Sequence, residues 1–176
     1  MDTVLGHDVT RTYTTLTPID VDAIPPKLGT VFKSSDGKAY RFVVNNHSAA
    51  LVIGDVVALD KTALYPNAVT QSGTDSAGAT TTNVATVMGG VATGAIPAAG
   101  YGWIQFSGVG SANVDGGAVD VVLGSTLKLV DSAFSVVSDA AVAVAATFYN
   151  HLRALAAKTT AASVVANNVA INCRVY

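Results

Sequence analysis

Short apolar stretches, separated by glycine, asparagine and aspartate, follow one another along most of the chain from Gly29 onward. In the first of them, residues 30–44, Asp36-Gly37 lies between two arms rich in β-branched and aromatic residues. An Asp-Gly pair in that setting is a strong hairpin signal, because both residues tolerate a positive φ. We therefore predict a β-hairpin that turns at Asp36-Gly37.

The next apolar run, residues 51–60, is interrupted by Gly54-Asp55. An interruption of this kind predicts a bulge or a tight corner. Residues 121–131 partly resemble this run. Their first five residues, Val-Val-Leu-Gly-Ser, align with Leu-Val-Ile-Gly-Asp at residues 51–55. The similarity is too limited to establish a repeat from sequence alone.

Residues 87–108 form a glycine-rich segment that contains the only tryptophan and no charged side chain. Such a segment can be buried without leaving an unpaired charge in the interior, so we predict that it forms part of the hydrophobic core. Period-two alternation places Tyr101 and Trp103 on one face of a strand and Phe106 on the other. We interpret these three aromatic residues as core or subunit-interface residues. A platform on which Tyr101 and Trp103 stack against a sugar is the alternative.

The C-terminal segment alternates at period two, with Val169, Ile171, Cys173 and Val175 on one face. This pattern predicts a strand in which the single cysteine is a buried, unreactive thiol. Only residues 148–158 favour a helix, because their apolar side chains recur at helical spacing. We expect one short helix at most, and we place it there.

The composition strengthens the prediction of an all-β fold. Half of the 176 residues are apolar, only 12% are charged, and all twelve acidic residues are aspartate. The absence of glutamate removes a good helix former, while valine, threonine and glycine suit closely packed strands and turns. We predict an all-β fold: a small barrel or sandwich-like domain with an extended N-terminal arm and at most one short helix.

Residues 1–28 differ from the remainder and form the predicted arm. They are prone to extended structure but poorly amphipathic, and Pro25-Pro26 interrupts any strand ladder. A strand without a clear buried face suits addition to the sheet of another protein or subunit, although a frayed terminus fits the same pattern. The candidate partner-binding residues of the arm are Tyr13, Leu16, Ile19 and Ile24. Residues 29–176 form the predicted β-rich domain, which we expect to fold without the arm.

No arrangement of residues in the sequence indicates catalysis or a cofactor. Ser125-Thr126-Leu127-Lys128 has the S-x-x-K spacing of some serine enzymes, but in a strand its serine and lysine lie on opposite faces. The three histidines are far apart and lack the spacing of a zinc site. The glycine-rich phosphate-binding motifs are missing as well. We therefore expect no enzyme activity, no metal, no cofactor and no small-molecule substrate.

Charge and hydropathy limit the expected partners. The net charge is −2 and the ten basic residues are scattered, so no basic stripe could neutralise a nucleic-acid backbone. No stretch approaches the roughly 20 apolar residues of a membrane-spanning helix, and the first residues do not resemble a secretion signal. We expect a protein that is made in the cytoplasm and binds neither nucleic acid nor membrane.

Three groups of residues, in this order, point to one family. The first is Leu28-Gly29-Thr30 with residues 36–43, the second is the Gly54-Asp55-Val56-Val57 corner, and the third is Gly90-Val91-Ala92 leading to residues 100–105. Over residues 28–130 the chain resembles the decoration, or cement, proteins of tailed-bacteriophage heads.

The resemblance implies a β-rich subunit, often a homotrimer, that sits on the outer capsid surface and bridges neighbouring copies of the phage major capsid protein. It implies synthesis in the host cytoplasm and a final location on the virion. A head-fibre, tail or baseplate protein would share the same composition, and a carbohydrate- or receptor-binding module would use Tyr101 and Trp103. Sequence alone leaves these alternatives open.

Overall fold

The computed structural model describes residues 8–16, 24–60, 66–71, 87–115, 120–130, 133–138, 150–157 and 164–173. These ranges hold ten β-strands and no helix, which confirms the prediction of an all-β fold. The strands are β1 (Val31–Lys33), β2 (Ala39–Asn45), β3 (Val56–Leu59), β4 (Ala68–Thr70), β5 (Met88–Ala92), β6 (Tyr101–Val114), β7 (Thr126–Leu129), β8 (Val136–Ser138), β9 (Asn150–Ala154) and β10 (Val165–Cys173).

Five of the strands close a β-barrel. β2 pairs with β4 in parallel, and the antiparallel pairs β4–β3, β3–β5, β5–β6 and β6–β2 complete the ring. β1 adds to β2 through the predicted hairpin, which is confirmed, since Val31 pairs with Arg41 and Gly37 has a φ of 83°. The buried core cluster of this first barrel consists of Val43, Leu51, Val57, Leu59, Val69, Ala92, Ile96 and Ile104.

The remaining strands repeat this arrangement. The second half of β6 pairs with β10, and the antiparallel pairs β10–β9, β9–β7 and β7–β8 lead to a parallel pair between β8 and β6. The strand order and the direction of every pair match those of the first barrel, and β6 belongs to both rings. The chain is therefore an internal repeat of one five-stranded unit.

The registers of the two barrels also agree, so that equivalent residues can be assigned from their partners on neighbouring strands. The pairing with one neighbouring strand and the pairing with the other lead to the same set of equivalent residues. The equivalent pairs, first barrel and then second, include Ala92 and Ala154, Ile104 and Val169, Arg41 and Gly110, Leu59 and Leu129, Val69 and Val136, and Asn45 and Val114.

The sequence echo between residues 51–60 and 121–131 marks equivalent corners of the two barrels. Each corner contains a glycine at positive φ, 90° at Gly54 and 87° at Gly124, just before the second strand of its ring. The backbone bonds match as well, since Gly54 N donates to Ala92 O at 3.0 Å and Gly124 N donates to Ala154 O at 2.9 Å. The predicted corner at Gly54 is confirmed, and the echo is part of a repeat that sequence alone did not establish.

The two barrels are joined by β6 and by a shared core. Gly108, with a φ of 95°, lies where β6 passes from one barrel to the other. Val56 and Val91 of the first barrel belong to the core cluster of the second. Their equivalents are Thr126, which is half-buried, and Arg153, which is exposed. At these two positions the second barrel is thus polar where the first is apolar and buried.

The predicted helix at residues 148–158 is wrong over residues 150–157, and the other residues of that segment lie outside the described ranges. Asn150–Ala154 is strand β9, which pairs with β7 on one side and with β10 on the other. Leu152 and Ala154 are buried while Arg153 is exposed, so the side chains alternate at period two. Hydrogen bonding on both sides of the strand outweighs the weak helical spacing, because short apolar stretches fit either period.

The prediction for Cys173 is confirmed. This residue, the chain's only cysteine, lies in β10 and is buried with a free thiol. Burial raises the pKa of Cys173 to about 12. Since the thiolate is the reactive form, a thiol with this pKa is a poor nucleophile at neutral pH.

Candidate interaction surfaces

Part of the predicted arm pairs with the barrel of its own chain. Tyr13 N donates to Tyr101 O at 2.8 Å, and Tyr101 N donates to Tyr13 O at 2.7 Å. Thr93 Oγ1 donates a hydrogen bond to the carbonyl oxygen of Val9. A Cβ on Gly94 would overlap with the carbonyl oxygen of Thr10. Residues 8–16 therefore lie directly on the first barrel.

The arm covers an aromatic face of the first barrel. Phe42 and Trp103 lie on the neighbouring strands β2 and β6, and their ring centroids are 5.3 Å apart at an interplanar angle of 63°. Tyr13 meets Phe42 edge-on at 5.6 Å, and Val9 and Tyr101 pack against the same cluster. Phe42 is 0% exposed and Trp103 is 1% exposed. Of the residues singled out in the sequence, Tyr13, Tyr101 and Trp103 thus come together.

The equivalent face of the second barrel is polar. Phe42 and Trp103 correspond in register to Ser111 and Asn168, which are partners on β6 and β10 and are both exposed. Polar side chains on a strand face need no cover from water. Among the residues that the structure describes, the aromatic face and the arm that covers it therefore belong to the first barrel alone.

The other candidates from the sequence do not join this cluster. Leu16 is 37% exposed and Ile24 is 65% exposed, so both apolar side chains meet solvent. Ile19 lies outside the described residues. Phe106 is half-buried against the core cluster of the second barrel, and the Arg41 guanidinium lies 5.9 Å from its ring centroid.

Four exposed apolar side chains lie on the two equivalent corners. Val52 and Ile53 are 55% and 66% exposed, and Val122 and Leu123 are 59% and 68% exposed. A backbone hydrogen bond from the fourth residue to the first closes each turn, at 3.1 Å in the first corner and 3.0 Å in the second. We call residues 52–55 and 122–125 the first and second apolar corners.

Asp55 fastens the first apolar corner and connects it to the second barrel. Its Oδ2 accepts a hydrogen bond from Val52 N at 2.8 Å, and its Oδ1 accepts one from Asn113 Nδ2 at 2.9 Å. Burial raises the pKa of Asp55 above its ordinary value of 3.8, against the lowering effect of both hydrogen bonds. Ser125 caps the second corner in the same way, since its Oγ accepts from Val122 N at 3.2 Å.

Replacing Asp55 with serine should cost less stability than replacing it with alanine, by about 1 kcal/mol, the contribution of one hydrogen bond. Serine can accept the Val52 N–H bond as Ser125 does in the second corner, whereas alanine cannot. The measurement is the free energy of unfolding of both variants in denaturant at neutral pH. Equal losses would contradict the role of residue 55 as the cap of the corner.

The same two variants test the raised pKa of Asp55. Because the folded protein holds this proton more tightly than the unfolded chain does, the group lowers stability as pH rises from 3.8 through the folded pKa. Both variants lack this contribution. Relative to the unaltered protein, their stability should therefore improve as pH rises across that window, and parallel pH profiles would contradict the raised pKa.

Within the described ranges, no three His, Cys, Asp or Glu side chains come together in a way that could hold a metal ion. No helix there has the length and apolar character to cross a membrane. Comparison of the sequence with protein-family models and with curated proteins gives no match.

Proposed function

We propose that this chain is a structural protein of a tailed-bacteriophage head, which binds the outer capsid surface and bridges neighbouring copies of the major capsid protein. In this role it acts as a homotrimer on the virion. Its work is mechanical, so it needs neither a substrate nor a cofactor.

The observation that supports the proposal best is that the residues behind the family resemblance fold into one unit. Residues 36–43 supply the hairpin and the start of β2, and residues 54–57 supply the first corner and the start of β3. Residues 90–92 and 100–105 lie in β5 and at the start of β6. All of these elements belong to the first barrel or to the hairpin attached to it, so the resemblance covers a continuous structure.

The construction of the fold suits a load-bearing role. Both rings of strands are closed, and the two barrels share a strand and a buried core. A body of this kind resists deformation, because hydrogen-bonded ladders and close-packed side chains must move together. A rigid body that touches several coat subunits at once gains avidity from contacts that are individually modest.

A sugar-binding role has less support from the geometry. Trp103 is 1% exposed and lies beneath the arm, so its ring offers no face on which a sugar could stack. Tyr101 is half-buried, and its backbone is engaged by Tyr13. The aromatic cluster is therefore better suited to holding the arm in place.

Binding to emptied heads of the phage that carries the gene tests the proposal. Heads stripped of their outer proteins are mixed with increasing amounts of the purified chain and sedimented. Bound chain should saturate at a fixed ratio to coat protein, and the rebound heads should withstand a higher temperature than stripped ones. Intact heads, whose sites are occupied, are the control and should bind little. Absence of saturable binding would overturn the proposal.

A further inference from the structure

The part of the arm that lies on the first barrel, residues 8–16, has internal structure of its own. Asp8 Oδ1 accepts hydrogen bonds from Thr10 N at 3.0 Å and from Thr10 Oγ1 at 2.6 Å. Arg11 N donates to Asp8 O at 3.2 Å, and the Arg11 guanidinium lies 5.5 Å from the ring centroid of Tyr13. A segment that is organised by its own contacts loses little conformational freedom when it docks. We call residues 8–16 the docked arm.

The docked arm is attached to the outside of a barrel that is closed without it. Tyr13 and Tyr101 form an isolated β-bridge, and Thr93 Oγ1 donates to the carbonyl oxygen of Val9. The ring of Tyr13 lies edge-on against Phe42. The five strands of the first barrel pair with one another around the whole ring. The docked arm can therefore leave its seat without breaking a strand ladder of the barrel.

Each copy of the chain offers one docked arm and one seat for it. At the equivalent place in the second barrel, Ser111 and Asn168 are polar and exposed, so that face lacks the aromatic rings on which Tyr13 packs. A second copy presents the same seat with the same main-chain and aromatic partners. If arms pass from copy to copy, every arm finds a seat only in a closed set of copies, of which the reciprocal pair is the smallest.

The connection between the docked arm and the barrel has an exposed apolar side chain at each end. Leu16 is 37% exposed and Ile24 is 65% exposed. An arm that passes to another copy brings the connections of two chains together at the boundary between them. Leu16 and Ile24 lie at this boundary, so an exchanged pair gains apolar contacts that a single chain does not make.

We propose that the aromatic face of the first barrel also accepts the docked arm of a second copy, so that adjacent copies of the chain exchange their arms. The exchanged arm makes the same contacts with the barrel as the chain's own arm. The chain's own arm is present at an effective concentration of the order of millimolar, so exchange increases as copies are concentrated or held side by side. From Leu16 to Ile24 the chain spans about 27 Å at most, so the two first barrels must be neighbours. This inference does not depend on the proposed function.

The test mixes two full-length variants, Tyr13→Cys and a tagged Tyr101→Cys, and measures the mixed dimer that a short bis-maleimide links. When each chain keeps its own arm, each new cysteine faces a tyrosine, so the two variants are linked only after an arm has been exchanged. The linked fraction should rise about tenfold for a tenfold rise in concentration while it is small. Cys173 is buried and its thiol has a raised pKa, so it does not compete for the reagent.

Ala166→Cys is the matched control for Tyr101→Cys. Ala166 holds the position equivalent to Tyr101 in the second barrel, where it is exposed and has no arm beside it in the described part of the chain. Its mixture with Tyr13→Cys should give background linkage only. A single chain with both Tyr13→Cys and Tyr101→Cys should be linked within itself, because the main chains at these positions are hydrogen-bonded. If Tyr101→Cys unfolds, Val9→Cys and Thr93→Cys replace this pair, since they meet at the same seat.

The comparison with the control decides the result. Linkage between the arm and barrel variants that exceeds the Ala166→Cys mixture and grows with concentration supports exchange of the docked arm. Linkage no greater than in that mixture, at every concentration up to about 1 mM, shows that each chain keeps its own arm and overturns the proposal.

Discussion

Replacing Trp103 with alanine is expected to lower the free energy of unfolding by about 3–5 kcal/mol. The side chain is 1% exposed, and its ring lies 5.3 Å from that of Phe42 in a cluster that the arm closes. Alanine would remove these contacts and leave a cavity that the closed barrel can fill only in part. Denaturant unfolding followed by circular dichroism measures the loss without needing the tryptophan signal.

The second barrel offers the matched control for this substitution. Asn168 occupies the position equivalent to Trp103, on β10, and is exposed. Asn168→Ala should change stability by no more than about 0.5 kcal/mol, as is usual for surface positions. A loss below 1 kcal/mol for Trp103→Ala would contradict a buried position.

Removing residues 1–16 is expected to lower the free energy of unfolding by about 2–4 kcal/mol, because it uncovers the aromatic face of the first barrel. Val9 and Tyr13 would no longer pack against the cluster of Tyr40, Phe42 and Trp103, and the edge-on contact between Tyr13 and Phe42 would be lost. Trp103 is the only tryptophan, so its fluorescence reports on whether the arm covers the aromatic face. Its emission maximum should shift to longer wavelength in the folded truncated protein.

Gly94→Ala tests the same contact in the full-length chain. The new Cβ would overlap with the carbonyl oxygen of Thr10, so the arm must shift and the emission of Trp103 should move in the same direction as in the truncated protein. Leu16→Ala is the control, because that side chain is exposed and does not belong to the cluster. An emission maximum that stays in place in both the truncated chain and Gly94→Ala would show that the arm does not cover Trp103.

Local patterns in the sequence predicted the local structure well. The Asp36-Gly37 hairpin depends on Gly37, which adopts a positive φ without strain, and the corner at Gly54 depends on the same property of glycine. The burial of Cys173 follows from period-two alternation in β10, since Val169, Ile171 and Cys173 share the face that packs into the core. In each case the signal lies within about ten residues of the feature it predicts.

Features that depend on distant strand pairing were missed. Residues 148–158 have apolar residues at helical spacing, and the pairing of Asn150–Ala154 with β7 and β10 is what identifies this part of the segment as a strand. The repeat is hidden because equivalent positions hold different residues wherever their burial differs, as Trp103 and Asn168 do. The short echo at the corners was the one visible trace of it, and pairing registers were needed to extend it.

The structure of the N-terminal arm also differs from the prediction. A stretch without clear amphipathic alternation predicted an arm that binds partners and is not needed for folding. In the structure, Val9 and Tyr13 are partly buried against a core cluster, while Leu16 and Ile24 remain exposed. These two partly buried side chains lie four residues apart on a segment whose one β-bridge is at Tyr13, so no run of alternating apolar residues marked them in the sequence.

Cryo-electron microscopy of stripped phage heads, with and without the rebound chain, tests the bridging role most directly. The account predicts difference density on the outer surface over the junctions between coat subunits. The density should have three-fold symmetry and should hold three copies of the double barrel. Density confined to the tail or to fibres, or an undecorated shell, would contradict it.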